Sequence, residues 1–176
     1  MASALHPLTL ERINAMTPQA FLAALGGVFE HSAWIAERAF AARPFASVAA
    51  LHEAMVDAVR KAPRQQQLAL LNAHPELAGR EAQAGALTTS STAEQASAGL
   101  NALKRDEMQT LAHWNREYRE KFGFPFIIAV RRHMKDSIFK ELQRRLASDP
   151  QTELDACLDQ VYLITRLRLE ALVAAL

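Results

Sequence analysis

The sequence predicts an all-α fold, and two observations carry that prediction. Glycine and proline are scarce, with 6 and 7 among 176 residues. Apolar residues recur every three or four positions along nearly the whole chain, whereas the strict alternation typical of strands is rare. A chain of this length buries one substantial core. We therefore expect a single all-α domain over residues 1–176.

Helix-start signals divide the first half of the chain. Thr17 precedes Pro18, which suits the first position of a helix. Ser47 is placed to cap the following helix. Residues 64–72 form another helical pattern, which ends where a proline follows His74.

The second half holds fewer but longer patterns. Residues 79–90 are rich in glycine, serine and threonine, which predicts a loop. A helical pattern then runs over residues 91–122, with an expected break near Lys104. Another helix is predicted over 135–147, and Asp149 is placed to cap the last one.

Composition excludes several classes of function. The chain has 20 basic and 19 acidic residues, so no electrostatic footprint for nucleic acid follows. Cys157 is the one cysteine, which excludes an internal disulfide and a cysteine metal cluster. Metal-binding histidine pairs and glycine-rich phosphate loops are absent from the sequence. The protein is therefore expected to need no metal or organic cofactor. No signal peptide or membrane span is predicted, so a cytoplasmic location is expected.

His74 stands where a helix must stop. Proline disfavours the α conformation in the residue before it, so His74 is expected in an extended or turn conformation. A histidine fixed at a helix exit suits acid–base catalysis. It is equally compatible with an ordinary loop position.

The stretch "SSTAEQASAGL" over residues 90–100 has two interpretations. Ser91 as a cap, with Glu94 three residues later, makes a capping box and requires no function. Alternatively, Ser91, Glu94 and Gln95 offer a hydroxyl, a carboxylate and an amide within one turn, near helix-start amides that favour anions.

The stretch "FGFPFIIAV" over residues 122–130 is similarly open. Its phenylalanines are typical of a core. Its Gly-Phe-Pro break also frees backbone amides that could meet a ligand with amide-like edges beside an apolar wall.

Arg168 is the anomaly of the last helix. At about 100° per residue, it falls on the stripe of Leu158, Val161 and Leu172, whereas Arg166 falls on the solvated face. An arginine on an apolar stripe is costly unless an anion pairs with it. The anion could be a substrate carboxylate or an internal acid.

Taken together, these residues resemble the 2-oxo-4-hydroxy-4-carboxy-5-ureidoimidazoline (OHCU) decarboxylase family over nearly the whole chain. The resemblance rests on several motifs in a fixed order. They are "FEHSAWIAERAFAARPF" (29–45), "HPELAG" (74–79), "SSTAEQASAGL" (90–100), "WNREYREKFGFPFIIAVR" (114–131) and "ITRLRLEALV" (164–173).

The resemblance implies an all-α homodimer that converts OHCU to (S)-allantoin, the third step of urate degradation, without a cofactor. His74 would be the catalytic acid or base, and Glu94 would orient it or share its proton. A neighbouring carboxylate of this kind would raise the pKa of the histidine and favour the protonated donor. The implied substrate-binding residues are Pro75, Ser91, Gln95, Phe126, Ile127, Ile128, Ala129, Val130 and Arg168.

Two other classes of function remain to be distinguished. A ligand-binding module would need Arg168 and the aromatic loop, but not His74 and Glu94 together. A purely structural helical protein would pair Arg168 internally and open no pocket between His74 and Glu94.

Overall fold

The computed structural model describes residues 8–173. The all-α prediction is confirmed: within those residues, β pairing is confined to one isolated bridge between Leu8 and Val173. The described residues form ten α-helices. They are α1 (Leu10–Ala15), α2 (Pro18–Leu25), α3 (Trp34–Ala39), α4 (Val48–Arg60), α5 (Arg64–Ala73), α6 (Arg80–Gln83), α7 (Thr89–Ser97), α8 (Arg105–Phe122), α9 (Lys135–Leu146) and α10 (Pro150–Leu172).

Side-chain caps begin three of these helices at the predicted residues. The Thr17 hydroxyl accepts a hydrogen bond from the backbone N–H of Ala20 at 3.3 Å. The Ser47 hydroxyl accepts one from Ala50 at 3.0 Å. The Asp149 carboxylate accepts one from Thr152 at 3.0 Å. Each cap satisfies an N–H that has no partner inside its helix.

The region after α5 differs from the predicted boundaries. The predicted loop 79–90 contains α6, a single helical turn, which is too short for apolar periodicity to reveal. The predicted long helix 91–122 is divided into α7 and α8, as the expected break near Lys104 requires. Gly99, with φ +77°, lies between the two helices, and Glu107 accepts a hydrogen bond from the Lys104 N–H at 2.8 Å.

The chain divides into two compact units. Among the described residues, the first comprises residues 8–70 and 165–173, and the second comprises Leu71–Ile164. The boundaries between the units fall within α5 and within α10, so these two helices each contribute residues to both units. The single domain over residues 1–176 stays a prediction.

In the first unit, α3 packs against α2 and α4. Its core contains Phe21, Ile35, Leu51 and Met55, all fully buried. Apolar contact between these three helices therefore stabilises this part of the chain.

In the second unit, α8 packs against α9, and the Tyr118 ring lies at the centre of an aromatic cluster. Its centroid lies 4.6 Å from that of Phe122, 6.2 Å from Phe124 and 5.4 Å from Phe126. The phenylalanines of the 122–130 stretch are therefore core residues, as their composition predicts. They fix the course of the chain after α8.

Candidate active site

His74 follows the last turn of α5. Its backbone N–H donates to the carbonyl of Leu71 at 3.2 Å, and Pro75 prevents the helix from continuing. The residue is 6% exposed, so it is buried rather than an ordinary surface loop residue. We call residues 74–79 the His74 turn.

Two amide side chains from other helices hold the His74 turn. Asn115 of α8 donates to the carbonyl of Leu77 at 3.0 Å. Gln95 of α7 accepts from the N–H of Ala78 at 2.9 Å. Because buried backbone groups need partners, these contacts determine which conformation the turn adopts.

Ser91, Glu94 and Gln95 lie on one buried face of α7. Glu94 and Gln95 follow Ser91 by three and four residues, which places all three side chains on the same side of the helix. Their exposed fractions are 4% for Ser91, 7% for Glu94 and 6% for Gln95. The capping-box interpretation is wrong, because Thr88 is the cap: its hydroxyl accepts from the Ser91 N–H at 3.2 Å. The alternative, a polar group set facing the interior, is the one the geometry supports.

The segment of residues 126–130 leads into the turn Val130–Arg132, which contacts α7. All five residues of the segment are buried. Two of its backbone groups are held from the interior. Ile127 accepts at its carbonyl from Arg145 at 2.7 Å, and Ala129 donates its N–H to Gln160 at 2.9 Å.

A buried polar cluster behind this segment was missed by the sequence analysis. Arg145 donates to Glu153 at 2.6 Å and to the Cys157 sulfur at 3.1 Å, and the Tyr118 hydroxyl donates to the same Glu153 oxygen. Arg145 shares the buried face of α9 with Ile138 and Leu142. That helical spacing is the signal that could have revealed it.

Burial controls the protonation of this cluster. It raises the pKa of the Tyr118 hydroxyl and of the Cys157 thiol far enough to favour their neutral forms, although Arg145 opposes both shifts. Burial acts to lower the pKa of Arg145, but Cys157, Tyr118 and Glu153 outweigh it and the pKa is raised. Tyr118 and Cys157 therefore stay neutral beside the Arg145 guanidinium.

An open cleft of about 820 Å³ is lined by His74. Small-molecule sites occupy about 300–1,000 Å³. Arg119 bridges one part of the lining, donating to Glu76 at 2.7 Å and to Asn72 at 3.2 Å. Ser91 and Glu94 are not among the lining residues, so a pocket between His74 and Glu94 stays a prediction.

Arg168 lies in the first unit and is buried, as its place on the apolar stripe predicts. Its guanidinium donates to Glu30 at 2.7 Å and to the carbonyl of Val28 at 3.2 Å. Arg166 pairs with Glu170 on the exposed face. The internal acid predicted as one possible partner of Arg168 is therefore present, and contact with a substrate anion stays a prediction.

Within residues 8–173, no group of three or more histidine, cysteine, aspartate or glutamate side chains is arranged to hold a metal ion. None of the described helices combines the length and apolarity needed to cross a membrane.

Comparison with known proteins identifies the family. The OHCU decarboxylase family model matches residues 14–170. The chain is 44% identical to the 2-oxo-4-hydroxy-4-carboxy-5-ureidoimidazoline decarboxylase of Haloferax volcanii over 165 residues, which covers 94% of this chain and 96% of that protein. It is 39% identical to the uric acid degradation bifunctional protein PucL of Bacillus subtilis, covering 94% of this chain and 33% of that protein.

A solved structure agrees with this assignment. A crystal structure of (S)-allantoin synthase superposes with a TM-score of 0.76 at 29% identity, covering 96% of this chain and 54% of that one. This chain therefore spans about a third to a half of the length of these two larger relatives. The chain belongs to the OHCU decarboxylase family, and the resemblance found in its sequence motifs is confirmed.

Proposed function

We propose that this protein decarboxylates OHCU to (S)-allantoin in the degradation of urate, with His74 as the proton-transferring residue and Glu94 as its partner. The observation that carries the proposal is the hydrogen bond from Ala78 to Gln95. Gln95 follows Glu94 in α7, and Ala78 belongs to the His74 turn. The bond therefore joins the two motifs within one compact unit.

The substrate makes a cofactor unnecessary in this proposal. When the carbon–carboxylate bond breaks, CO2 leaves and its bonding electron pair stays on the substrate. The conjugated imidazoline ring accepts that pair, so no pyridoxal or thiamine is needed as an electron sink. A proton must then reach one face of the resulting carbanion equivalent. His74 is the candidate for this transfer, because imidazole exchanges protons near neutral pH.

Further substrate contacts are assigned to α7, to residues 126–130 and to Pro75. A ureido group carries both N–H donors and carbonyl acceptors, which match amide and backbone groups. Gln95 already accepts from Ala78 through its carbonyl oxygen, so its NH2 group is the part that suits a substrate carbonyl. Ser91 offers a hydroxyl on the same buried face, and Pro75 offers an apolar edge beside His74.

The test is a coupled assay in which OHCU is generated from urate in situ. We expect the protein to accelerate OHCU loss and to produce a growing circular dichroism signal from one allantoin enantiomer. His74→Asn should fold normally and lose about a hundredfold or more in turnover, the usual contribution of general acid–base catalysis. His113→Asn is the matched control, because His113 is exposed on α8.

Two results would contradict the proposal. OHCU decay at the rate seen without protein, measured with folded material, would favour a ligand-binding module. Full activity in His74→Asn would remove the role assigned to His74 while leaving the family's reaction intact.

Assembly as a homodimer and a cytoplasmic location complete the proposal. The homodimer rests on the family resemblance, and the cytoplasmic location is the one expected from the sequence. Light scattering should give a mass twice that of one chain. Cell fractionation should place the protein in the soluble cytoplasmic fraction.

A further inference from the structure

Side chains of α9 and α10 bind the backbone of residues 126–130. Arg145 binds the carbonyl of Ile127, and Gln160 binds the N–H of Ala129. Neither contact is made to Ile128, the residue between Ile127 and Ala129.

Ile128 is 4% exposed, so its backbone groups are buried. Within residues 8–173, no hydrogen bond is formed by its N–H or its carbonyl. Buried backbone groups without a partner are rare in folded proteins. A bound molecule with amide-like edges would supply the partners.

Arg145 is itself held in place by the buried polar cluster. One Glu153 oxygen accepts from both Arg145 and Tyr118. The guanidinium carbon lies 4.5 Å from the centroid of the Phe126 ring. Arg145 is 3% exposed and Glu153 is 1% exposed.

A buried ion pair of this kind is weak evidence for stability, because apolar residues of the same volume often serve as well. The ion pair fixes the orientation of the Arg145 guanidinium. A planar guanidinium held by a carboxylate can donate hydrogen bonds in only a few directions. In this cluster one of its N–H groups donates to the carbonyl of Ile127.

We propose that Arg145 and Gln160 are positioning residues that orient the backbone of residues 126–130, so that the N–H and carbonyl of Ile128 face bound substrate. Glu153 and Tyr118 hold Arg145 in the required orientation. This inference rests on the proposed decarboxylase function, and it assigns a role to Arg145, Glu153 and Gln160, which lie outside the recognised motifs.

The experiment compares three folded variants in the OHCU assay. Gln160→Met keeps the size of the side chain but removes the acceptor for Ala129, and Gln160→Glu keeps that acceptor. Arg145→Lys keeps the charge but cannot reach all the partners of a guanidinium fork. Arg144→Lys is the control, because Arg144 is exposed and pairs with Glu141 on its own helix.

We expect the KM for OHCU to rise about tenfold in Gln160→Met and in Arg145→Lys, with a smaller change in kcat. Gln160→Glu and Arg144→Lys should stay within about threefold of wild type. The affinity for (S)-allantoin, measured by NMR titration, should weaken in parallel with the KM. If Arg145→Lys fails to fold, Gln160→Met still decides the question.

The outcomes separate the two proposals. A wild-type protein that does not accelerate OHCU loss overturns the proposed function, and the positioning role falls with it. An active wild type whose folded Gln160→Met variant has unchanged KM and unchanged allantoin affinity overturns the positioning role alone. In that case the contact between Gln160 and Ala129 is merely structural.

Discussion

The amide oxygen of Gln95 accepts a hydrogen bond of 2.9 Å from the backbone N–H of Ala78. This contact makes the conformation of the His74 turn depend on a side chain of α7. A second glutamine, Gln83, binds the same residue at an exposed position, where its side-chain NH2 group donates to the carbonyl of Ala78 at 3.1 Å. The two glutamines form a matched pair, one buried and one exposed.

We expect Gln95→Leu to lower the free energy of unfolding by about 1–3 kcal/mol, because it leaves the Ala78 N–H without its acceptor in a buried place. Gln83→Leu should change it by about 0.5 kcal/mol or less, since water replaces an exposed partner. Urea denaturation of both variants checks this difference. Equal losses would mean that the Gln95 contact does not hold the turn.

Ala78 adopts a φ of +48°, a left-handed conformation that costs alanine about 1–2 kcal/mol. Glycine adopts it without that strain but loses more backbone entropy on folding. We expect Ala78→Gly to be neutral or to stabilise the protein by up to about 1 kcal/mol. Most alanine-to-glycine changes, by contrast, destabilise a protein. Ala69→Gly, at an exposed position inside α5, is the control and should destabilise by about 0.5–1 kcal/mol. A fall in the unfolding midpoint of Ala78→Gly would contradict the assignment of strain.

Local contacts explain which parts of the fold were predictable. The caps at Thr17, Ser47 and Asp149 each span three residues, so the sequence pattern alone identifies them. The cap of α7 was misplaced for an equally local reason. Residues 88–91 are four consecutive hydroxyl side chains, and any of them suits a cap.

The partners of the site residues were not predictable, because they come from distant positions. Gln95 and Ala78 are 17 residues apart, and their contact depends on a turn that periodicity does not describe. Arg145 stood in the sequence as one of two neighbouring arginines. Helical spacing distinguishes it from exposed Arg144, but the acid that it binds lies on another helix. Motifs therefore located the candidate site, and the tertiary contacts around it required the structure.

Arg168 and Glu30 form a buried pair whose side chains are 7% and 2% exposed. We expect Glu30→Ala to destabilise the protein by about 3–5 kcal/mol, because removal of one partner leaves a charge in the interior without that partner. Glu170→Ala removes the exposed partner of Arg166 and should cost about 0.5 kcal/mol or less. Chemical denaturation distinguishes the two. A small loss for Glu30→Ala would mean that Arg168 reaches solvent readily.

Cys157 is fully buried, and burial raises the pKa of its thiol. Since the thiolate is the reactive form, we expect no reaction with a thiol reagent under native conditions and complete reaction after unfolding in guanidinium chloride. Any labelling in native buffer should be no faster than global unfolding. Rapid labelling of the folded protein would show that the interior beside Arg145 opens locally.

Glu107 should contribute a pH-dependent part of the stability. The hydrogen bond from Lys135 at 2.6 Å, followed by that from the Lys104 N–H, lowers the pKa of Glu107 below its ordinary value of 4.5. Because the folded state favours the charged carboxylate, this contribution is complete above the unfolded pKa. It is lost as the pH falls through the folded pKa.

We therefore expect the stability of wild type to exceed that of Glu107→Gln at neutral pH, with the difference shrinking below about pH 4.5. Glu120→Gln, at an exposed position of the same helix, controls for the loss of one negative charge. Because the pair is at the surface, high salt should also reduce the difference. Wild type and Glu107→Gln curves that run parallel from pH 3 to pH 7 would show that neither Lys135 nor the Lys104 N–H favours the charged carboxylate.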